Sequence, residues 1–228
     1  MYQEYFNYYL ELERDFFATE PYVTIDEDNY NTFSIQYNRI YQSICSEIDC
    51  LLKELCRQLE QGCEARTLGA YYPIIQSHFK YFCVEKVSFY KSRIELQPWN
   101  EWIKGKAPSW WTMYNNVKHH RMEVEEKNKK PYYKYANLEN VLNALAALYV
   151  VELYYVYSYE FSEIEKEEFA KKYTCNAEEG VKKEKSQMMI HCASKSMEIK
   201  EWNRFKSYFA GYTHFDIEKL DEFVKNRN

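Results

Sequence analysis

The sequence predicts a mainly α-helical protein, an up-and-down helical bundle with a small β-hairpin or extended excursion and a C-terminal α(+β) appendage. The chain of 228 residues contains only 5 Gly and 5 Pro, which leaves few positions for tight turns and favours long helices. Hydrophobic residues make up 46% and charged residues 29%, which is typical of a chain that buries a core. Apolar residues also recur at steps of three and four, as on one face of a helix.

The N-terminal segment predicts one helix followed by a link. Residues 2–18 carry aromatic and aliphatic residues separated by acidic ones, which indicates a first helix. Pro21 interrupts that pattern. Residues 22–25 (YVTI) are then expected to form a short strand or an extended link.

The clearest periodicity runs from Phe33 to about Leu59 and predicts a long amphipathic helix of about seven turns. Asn31 or Thr32 is expected to cap its N-terminus, and Gly62 is expected to stop it. The apolar positions that define the buried face are Phe33, Tyr37, Ile40, Ile44, Ile48, Leu51, Leu55 and Leu59.

The middle of the chain changes period. Residues 69–83 predict another helix, with Pro73 in its first turn. Over residues 84–99 apolar and polar residues alternate, which predicts the small β-hairpin or extended excursion, ended by Pro98.

Two further helices are predicted before residue 162. A polar helix is expected from Ser109 to about Glu125, followed by a basic loop at 127–131. Residues 137–160 are apolar nearly all round, which is typical of a central buried helix. This helix is not expected to cross a membrane, because its apolar run is interrupted by Asn140, Asn143 and Glu152.

The C-terminal part has a mixed pattern. We expect residues 1–162 to form the helical core and residues 163–228 to form an extension that serves as a lid, a dimer arm or a partner-binding appendage. Within the extension, the composition predicts a charged helix at 163–173, a solvated loop at 175–186, a short strand at 186–192 and a terminal helix at 216–225.

Charge and aromatic content restrict the classes of partner. The net charge of −5 provides no overall field that attracts nucleic acid or an anionic membrane, so any nucleic-acid contact must be local. The chain carries 24 Tyr, 13 Phe and 5 Trp. This richness in Tyr indicates either residues at the boundary of the core or an extended surface on which bases stack.

Cysteine usage and the N-terminus predict a location inside the cell. The seven cysteines are odd in number and form no C-x-x-C pair, so they are expected to be reduced. The N-terminus is acidic and has no basic segment followed by an apolar one, so it does not resemble a signal peptide. We therefore expect a cytoplasmic protein with no membrane contact.

No motif for a cofactor or a metal ion is found. The sequence contains no G-x-G-x-x-G, no G-x-x-x-x-G-K-[ST], no G-x-S-x-G and no H-E-x-x-H. Adjacent His119 and His120 would point about 100° apart on a helix and would not share an ion. No cofactor and no metal site are therefore expected.

The chemically suggestive segment is WWTMYNNVKHHR, from Trp110 to Arg121. On a helix, Asn115 and His119 lie one turn apart, with Lys118 beside them. Imidazole is a natural general acid or base, an amide orients a ribose hydroxyl or phosphate, and a cation stabilises a phosphorane. These groups suit metal-independent RNA cleavage, in which the ribose 2′-hydroxyl attacks the phosphate.

Further candidates accompany these three catalytic residues. Trp111, Tyr114 and Arg121 are candidate binding residues in the same segment. Glu47 lies at the edge of the apolar face of the long helix. It is either a fourth catalytic residue or a member of a structural salt bridge with Lys118, His119 or Arg121. The competing interpretation of the whole segment is an exposed helix end, where Lys, His and Arg interact well with the helix dipole.

The order of a long helix containing SEID, a polar helix containing YNNVKHH and an apolar helix resembles the HEPN superfamily over residues 33–160. The resemblance implies an all-α bundle, often a metal-independent ribonuclease of antiviral or toxin–antitoxin systems. Asn115 and His119 match the Asn and His of the family motif. Tyr114 stands where the family carries Arg, so Lys118 or Arg121 would have to supply that cation.

The resemblance also implies partners. Members of this superfamily usually form homodimers in which two motifs face one cleft, so it implies a homodimer, RNA as the ligand and an antitoxin or other protein partner. The competing function is a non-catalytic helical interaction module that binds a protein through a Tyr- and Trp-rich surface, including Trp110 and Trp111.

Overall fold

The computed structural model describes residues 2–160, 194 and 196–199. The elements predicted at 163–173, 175–186, 186–192 and 216–225 lie outside these residues. Within the described part of the chain the protein is mainly helical, as predicted. Its α-helices are α1 (Tyr2–Phe17), α2 (Ile35–Leu59), α3 (Leu68–His78), α4 (Ser109–His119) and α5 (Leu138–Glu160).

The helices are arranged around the central pair α2 and α5, which make the most extensive contact in the fold. Helix α1 packs against both members of this pair, α3 packs on α2, and α4 contacts both α2 and α5. Helix α5 is buried on nearly all sides over residues 141–156, as expected for an element that is apolar all round. The three helices around the pair thus close one hydrophobic core.

Helix α2 begins later than predicted, and its cap is Ser34 instead of Asn31 or Thr32. The hydroxyl oxygen of Ser34 accepts a hydrogen bond from the backbone N–H of Tyr37 at 2.9 Å. Phe33 does not start the helix because it forms an isolated antiparallel bridge with Asn137, at the start of α5. The extended bridge moves the first helical residue to Ile35.

Helix α3 is shorter than the predicted helix at 69–83. It is capped by Thr67 and ends at His78, after which Phe79 leaves the helical conformation and is buried. Pro73 lies in its second turn, not in its first. The helix ends here because burial of Phe79 and of the following turn Phe82–Val84 turns the chain back into the core.

The β-hairpin predicted within residues 84–99 is present. Strand β1 (Val87–Phe89) pairs antiparallel with β2 (Glu95–Leu96), and on its other edge with β3 (Met197–Glu198). Residues 22–25, by contrast, form turns and bends rather than a strand.

Strand β3 comes from the predicted extension yet packs with the helical core. Met197 is fully buried and Ile199 nearly so, in the same hydrophobic cluster as the helices. Part of the segment 163–228 therefore belongs to the core. None of the helices in the described residues has the length and apolar character needed to cross a bilayer.

Candidate functional site

Helix α4 is held by four buried side chains on one face: Trp110, Trp111, Tyr114 and Val117. The indole N–H of Trp110 donates to the backbone oxygen of Pro98 at 2.7 Å, and the hydroxyl of Tyr41 donates to the backbone oxygen of Trp110. These contacts join the start of α4 to α2 and to the chain after the hairpin. The position of the polar face of α4 is therefore fixed by the core.

The buried face includes two of the predicted binding residues. Trp111 is 8% exposed and Tyr114 is 5% exposed, with their ring centroids 5.3 Å apart. A base cannot stack on a ring whose faces are already covered by the protein. The burial of Trp111 and Tyr114 therefore speaks against direct contact with a ligand, and both residues serve to position α4.

The three predicted catalytic residues lie near the C-terminal end of α4. Asn115 is half-buried, and its side-chain amide donates to the backbone oxygen of Trp111 at 3.2 Å. Lys118 and His119 are exposed. The side chain of Asn115 is thus oriented by its own helix, with its carbonyl oxygen as the atom left to accept a further hydrogen bond.

Lys118 is placed over the ring of Tyr114. Its ammonium nitrogen lies 5.5 Å from the ring centroid, within the range of a cation–π contact. Burial raises the pKa of the Tyr114 hydroxyl, and the hydrogen bond and charge of Lys118 act in the opposite direction. A positive charge is therefore held against the ring of Tyr114.

Helix α4 ends at His119, which is earlier than the predicted end near Glu125. His120 caps it, donating its backbone N–H to Asn116, and a ring nitrogen of His120 lies 3.0 Å from a carboxylate oxygen of Glu123. The following chain folds back as a hairpin, in which Val124 pairs with Pro131. The chain leaves the helix before this pairing, in a turn in which the N–H of Glu123 donates to the backbone oxygen of His120 at 2.8 Å.

The hairpin returns to the end of α4. Its ladder includes the N–H of Glu125 bonded to the oxygen of Lys130, and the N–H of Tyr132 bonded to the oxygen of Glu123. Beyond it, the N–H of Tyr133 donates to the backbone oxygen of Arg121 at 3.1 Å. Arg121, the third predicted binding residue, is exposed.

The end of α4 and the hairpin are locally basic. Residues 118–134 contain six Lys or Arg and three Glu, a net charge of +3, in a chain whose net charge is −5. We call these residues the basic segment. A local field of this sign attracts a phosphate backbone even though the whole protein repels it.

Aromatic residues that the sequence-based prediction missed adjoin the basic segment. Phe33 is 41% exposed, and its ring lies 5.8 Å from that of Tyr133. The ammonium of Lys134 lies 5.5 Å from the ring of Phe33, and that of Lys130 lies 4.5 Å from the ring of Tyr135. The signal available in the sequence was the run KKPYYKY at 129–135, which mixes lysine with tyrosine.

Glu47, the fourth predicted catalytic residue, belongs to a different side of α2. Tyr41 and Cys45 face α4, where Lys118 acts electrostatically on Cys45. Glu47 is two residues beyond Cys45, which is about 200° around the helix. Glu47 forms no ion pair with the described residues, and burial raises the pKa of its carboxyl. The structure thus does not group Glu47 with Asn115 and His119.

Glu47 acts electrostatically on Glu152 of α5. Glu152 is fully buried, and neither of its carboxyl oxygens has a hydrogen-bond partner among the described residues. Burial raises its pKa well above the ordinary range, and the charge of Glu47 adds to this effect. The neutral acid is therefore the form that the fold favours.

In the described part of the chain, no cluster of three or more His, Cys, Asp or Glu is placed to hold a metal ion. Comparisons with protein families, with curated proteins and with solved structures found no match. The geometry at the end of α4 is therefore the basis for the functional assignment.

Proposed function

We propose that this protein is a HEPN-like RNA-binding protein that cleaves RNA without a metal ion, at the C-terminal end of α4. The observation that carries the proposal is the placement of Asn115, Lys118 and His119 at the accessible C-terminal end of a helix whose buried side chains are fixed in the core. The core fixes the backbone at this end of the helix, and the amide of Asn115 is oriented by its bond to Trp111, which suits catalysis by positioning.

The surrounding charge supports RNA as the ligand. Lys118 and Arg121 are exposed at the same helix end, and the basic segment carries a net charge of +3. Phosphate contacts from such side chains provide most of the sequence-independent affinity for nucleic acid.

The side chains suit attack by the ribose 2′-hydroxyl. His119 takes the proton of that hydroxyl, and the second amide N–H of Asn115, which is not used by the backbone oxygen of Trp111, donates to the 2′-oxygen and orients it. The 2′-oxygen forms a bond to the adjacent phosphorus, and the bond from phosphorus to the 5′-oxygen breaks. Lys118 stabilises the charge on the phosphorane, and the leaving 5′-oxygen takes a proton from water. The hydroxide formed in this way takes the proton held by His119, which restores the neutral base. The products are a 2′,3′-cyclic phosphate and a 5′-hydroxyl.

Lys118 also supplies a positive charge near Tyr114, the position at which the sequence departs from the family motif. Tyr114 lacks the permanent charge of arginine, but its ring holds the ammonium of Lys118 at 5.5 Å. We propose that the pair Tyr114–Lys118 takes the place of the family's arginine.

A homodimer is part of this proposal and rests on the resemblance, as does an antitoxin or other protein partner in an antiviral or toxin–antitoxin system. The prediction is checked by sedimentation equilibrium of the purified chain, which should give twice the mass of one chain. A single-chain mass at micromolar concentration would remove the shared cleft from the proposal.

The competing function is a protein-interaction surface built on Trp110 and Trp111. The positions of these two residues speak against it. Both are buried, and the indole N–H of Trp110 is already bonded within the chain. A protein partner would have to bind through other residues.

The function is tested by incubating the full chain with single-stranded RNA of mixed sequence in excess EDTA and analysing the products. We expect fragments that end in a cyclic phosphate. His119→Ala should slow cleavage by about 10²-fold or more, the usual contribution of a general acid or base.

The matched control is His78→Ala, because His78 is also a partly exposed histidine at a helix end but lies on α3. It should cleave like the wild type. Equal rates for His119→Ala and the wild type would contradict the catalytic assignment. RNA that binds without cleavage would restrict the function to binding.

A further inference from the structure

The exposed ring of Phe33 and the half-buried ring of Tyr133 form an aromatic pair beside the end of α4, which we call the aromatic platform. Most of the large aromatic residues of the described chain are buried, whereas 41% of Phe33 is exposed and Tyr133 is half-buried. Their rings meet edge to face, with centroids 5.8 Å apart and planes at 71°. The core does not require an exposed phenyl ring at this position.

The backbone under the platform is fixed on both sides. Phe33 is bridged to Asn137, and the neighbouring N–H of Leu138 donates to the oxygen of Thr32 at 2.9 Å. Tyr133 donates its N–H to Arg121, two residues after His119. The backbone of the platform is therefore fixed next to the proposed site. Little conformational entropy of this backbone would be lost on binding.

One lysine lies over a ring of the platform, and a second lies over Tyr135, two residues after Tyr133. The ammonium of Lys134 lies 5.5 Å from the ring of Phe33, and that of Lys130 lies 4.5 Å from the ring of Tyr135. Partial burial lowers the pKa of Lys130, and the neighbouring charge of Lys134 adds to this. An anion bound between these ammonium groups would relieve their repulsion.

We propose that the aromatic platform binds an unpaired base by stacking on Phe33, with Lys130, Lys134 and Arg121 contacting the adjacent phosphates, so that the substrate class is single-stranded RNA. The proposal rests on the proposed function and adds the strand requirement to it. Bases within a duplex are covered by their neighbours and cannot stack on a side chain, whereas unpaired bases stack readily on aromatic rings.

The test measures binding by fluorescence anisotropy, using the full chain, a labelled oligouridine and an RNA duplex of the same length. Binding is measured in EDTA with a non-cleavable 2′-O-methyl backbone. The wild type should bind the single strand more tightly than the duplex. Phe33→Ala should weaken single-strand binding roughly 5- to 100-fold, the usual effect of removing one stacking ring.

Two variants separate stacking from other effects. Phe33→Trp keeps a stacking ring and should bind at least as well as the wild type, whereas Phe33→Leu keeps an apolar side chain and should bind as weakly as Phe33→Ala. The control is Tyr8→Ala, because Tyr8 has a similar exposure of 45% but lies on α1. It should leave binding unchanged.

The outcomes distinguish the two proposals. If Phe33→Ala binds like the wild type while Lys118→Gln with Arg121→Gln weakens binding, the platform is overturned and the proposed function stands. Equal affinity for duplex and single strand, or full binding by Phe33→Leu, also overturns the platform. A wild type that binds no RNA overturns the proposed function, and the platform with it.

Discussion

The hydroxyl of Tyr41 in α2 donates a hydrogen bond to the backbone oxygen of Trp110 in the first turn of α4. The ring of Tyr41 also packs edge to face on that of Tyr114, with centroids 5.9 Å apart. One side chain of the central helix pair thus contacts α4 at two successive turns. The orientation of the whole polar face of α4 depends on this contact.

Tyr41→Phe should lower the free energy of unfolding by about 1 kcal/mol, because it removes the buried hydrogen bond and keeps the ring. Urea unfolding followed by circular dichroism measures the change. Tyr37→Phe is the control on the same helix, because its hydroxyl makes only a long contact of 3.5 Å with Thr19. Equal stability of the Tyr41→Phe variant and the wild type would show that this contact does not stabilise α4.

Glu13 of α1 should hold the C-terminal strand in place. Its buried carboxylate accepts hydrogen bonds from the hydroxyl of Ser194 and from the N–H of Ser196, the latter at 3.2 Å. Glu13→Ala removes the oxygen that accepts both hydrogen bonds, so we expect faster hydrogen exchange at Ser196–Ile199 and a loss of about 1–3 kcal/mol of stability.

Glu11→Ala is the control for this measurement, because Glu11 lies on the same helix, is exposed and pairs only locally with Arg14. Exchange at residues 196–199 should match the wild type in that variant. If Glu13→Ala exchanges at the same rate as Glu11→Ala, Glu13 does not hold the strand, and the pairing of the strand with β1 and the burial of Met197 are sufficient.

Glu152→Gln should stabilise the protein at neutral and alkaline pH. Burial raises the pKa of Glu152, with a further contribution from Glu47, so the folded state binds this proton more tightly than the unfolded state. The stabilisation from the neutral acid is complete below the unfolded pKa and is lost as the pH rises through the folded pKa.

The amide of Gln cannot ionise, so the variant should lose this part of the pH dependence. Urea unfolding from pH 5 to pH 9 measures it, and the exposed Glu4→Gln is the control. A stability curve for Glu152→Gln that is parallel to that of the wild type would show that Glu152 does not titrate differently in the folded and unfolded states.

Periodicity predicted the elements whose burial pattern is local. The first residues of α2 and of the apolar helix α5 were predicted to within two positions. Both helices have apolar positions that repeat at helical spacing over many turns. The hairpin of β1 and β2 was predicted because its alternation is also local. Strand β3 was not predicted, since its partner β1 is more than 100 residues away in the chain.

The candidate site was predicted only in part, for physical reasons. The spacing of Asn115 and His119 follows from helical geometry, but the burial of Trp111 and Tyr114 depends on contacts with Tyr41 and Trp110 that spacing does not show. Glu47 was grouped with α4 because the sequence does not say which side of α2 faces it. The exposure of Phe33 depends on its bridge to Asn137, a long-range pairing.

The most direct test of the central claim is where RNA touches the protein. The full chain is cross-linked by light to a single-stranded RNA containing 4-thiouridine, and the linked peptides are identified by mass spectrometry. The account predicts cross-links in residues 115–135 and at Phe33. Cross-links confined to other surfaces, such as α1 or the β-sheet, would contradict an RNA site at the end of α4.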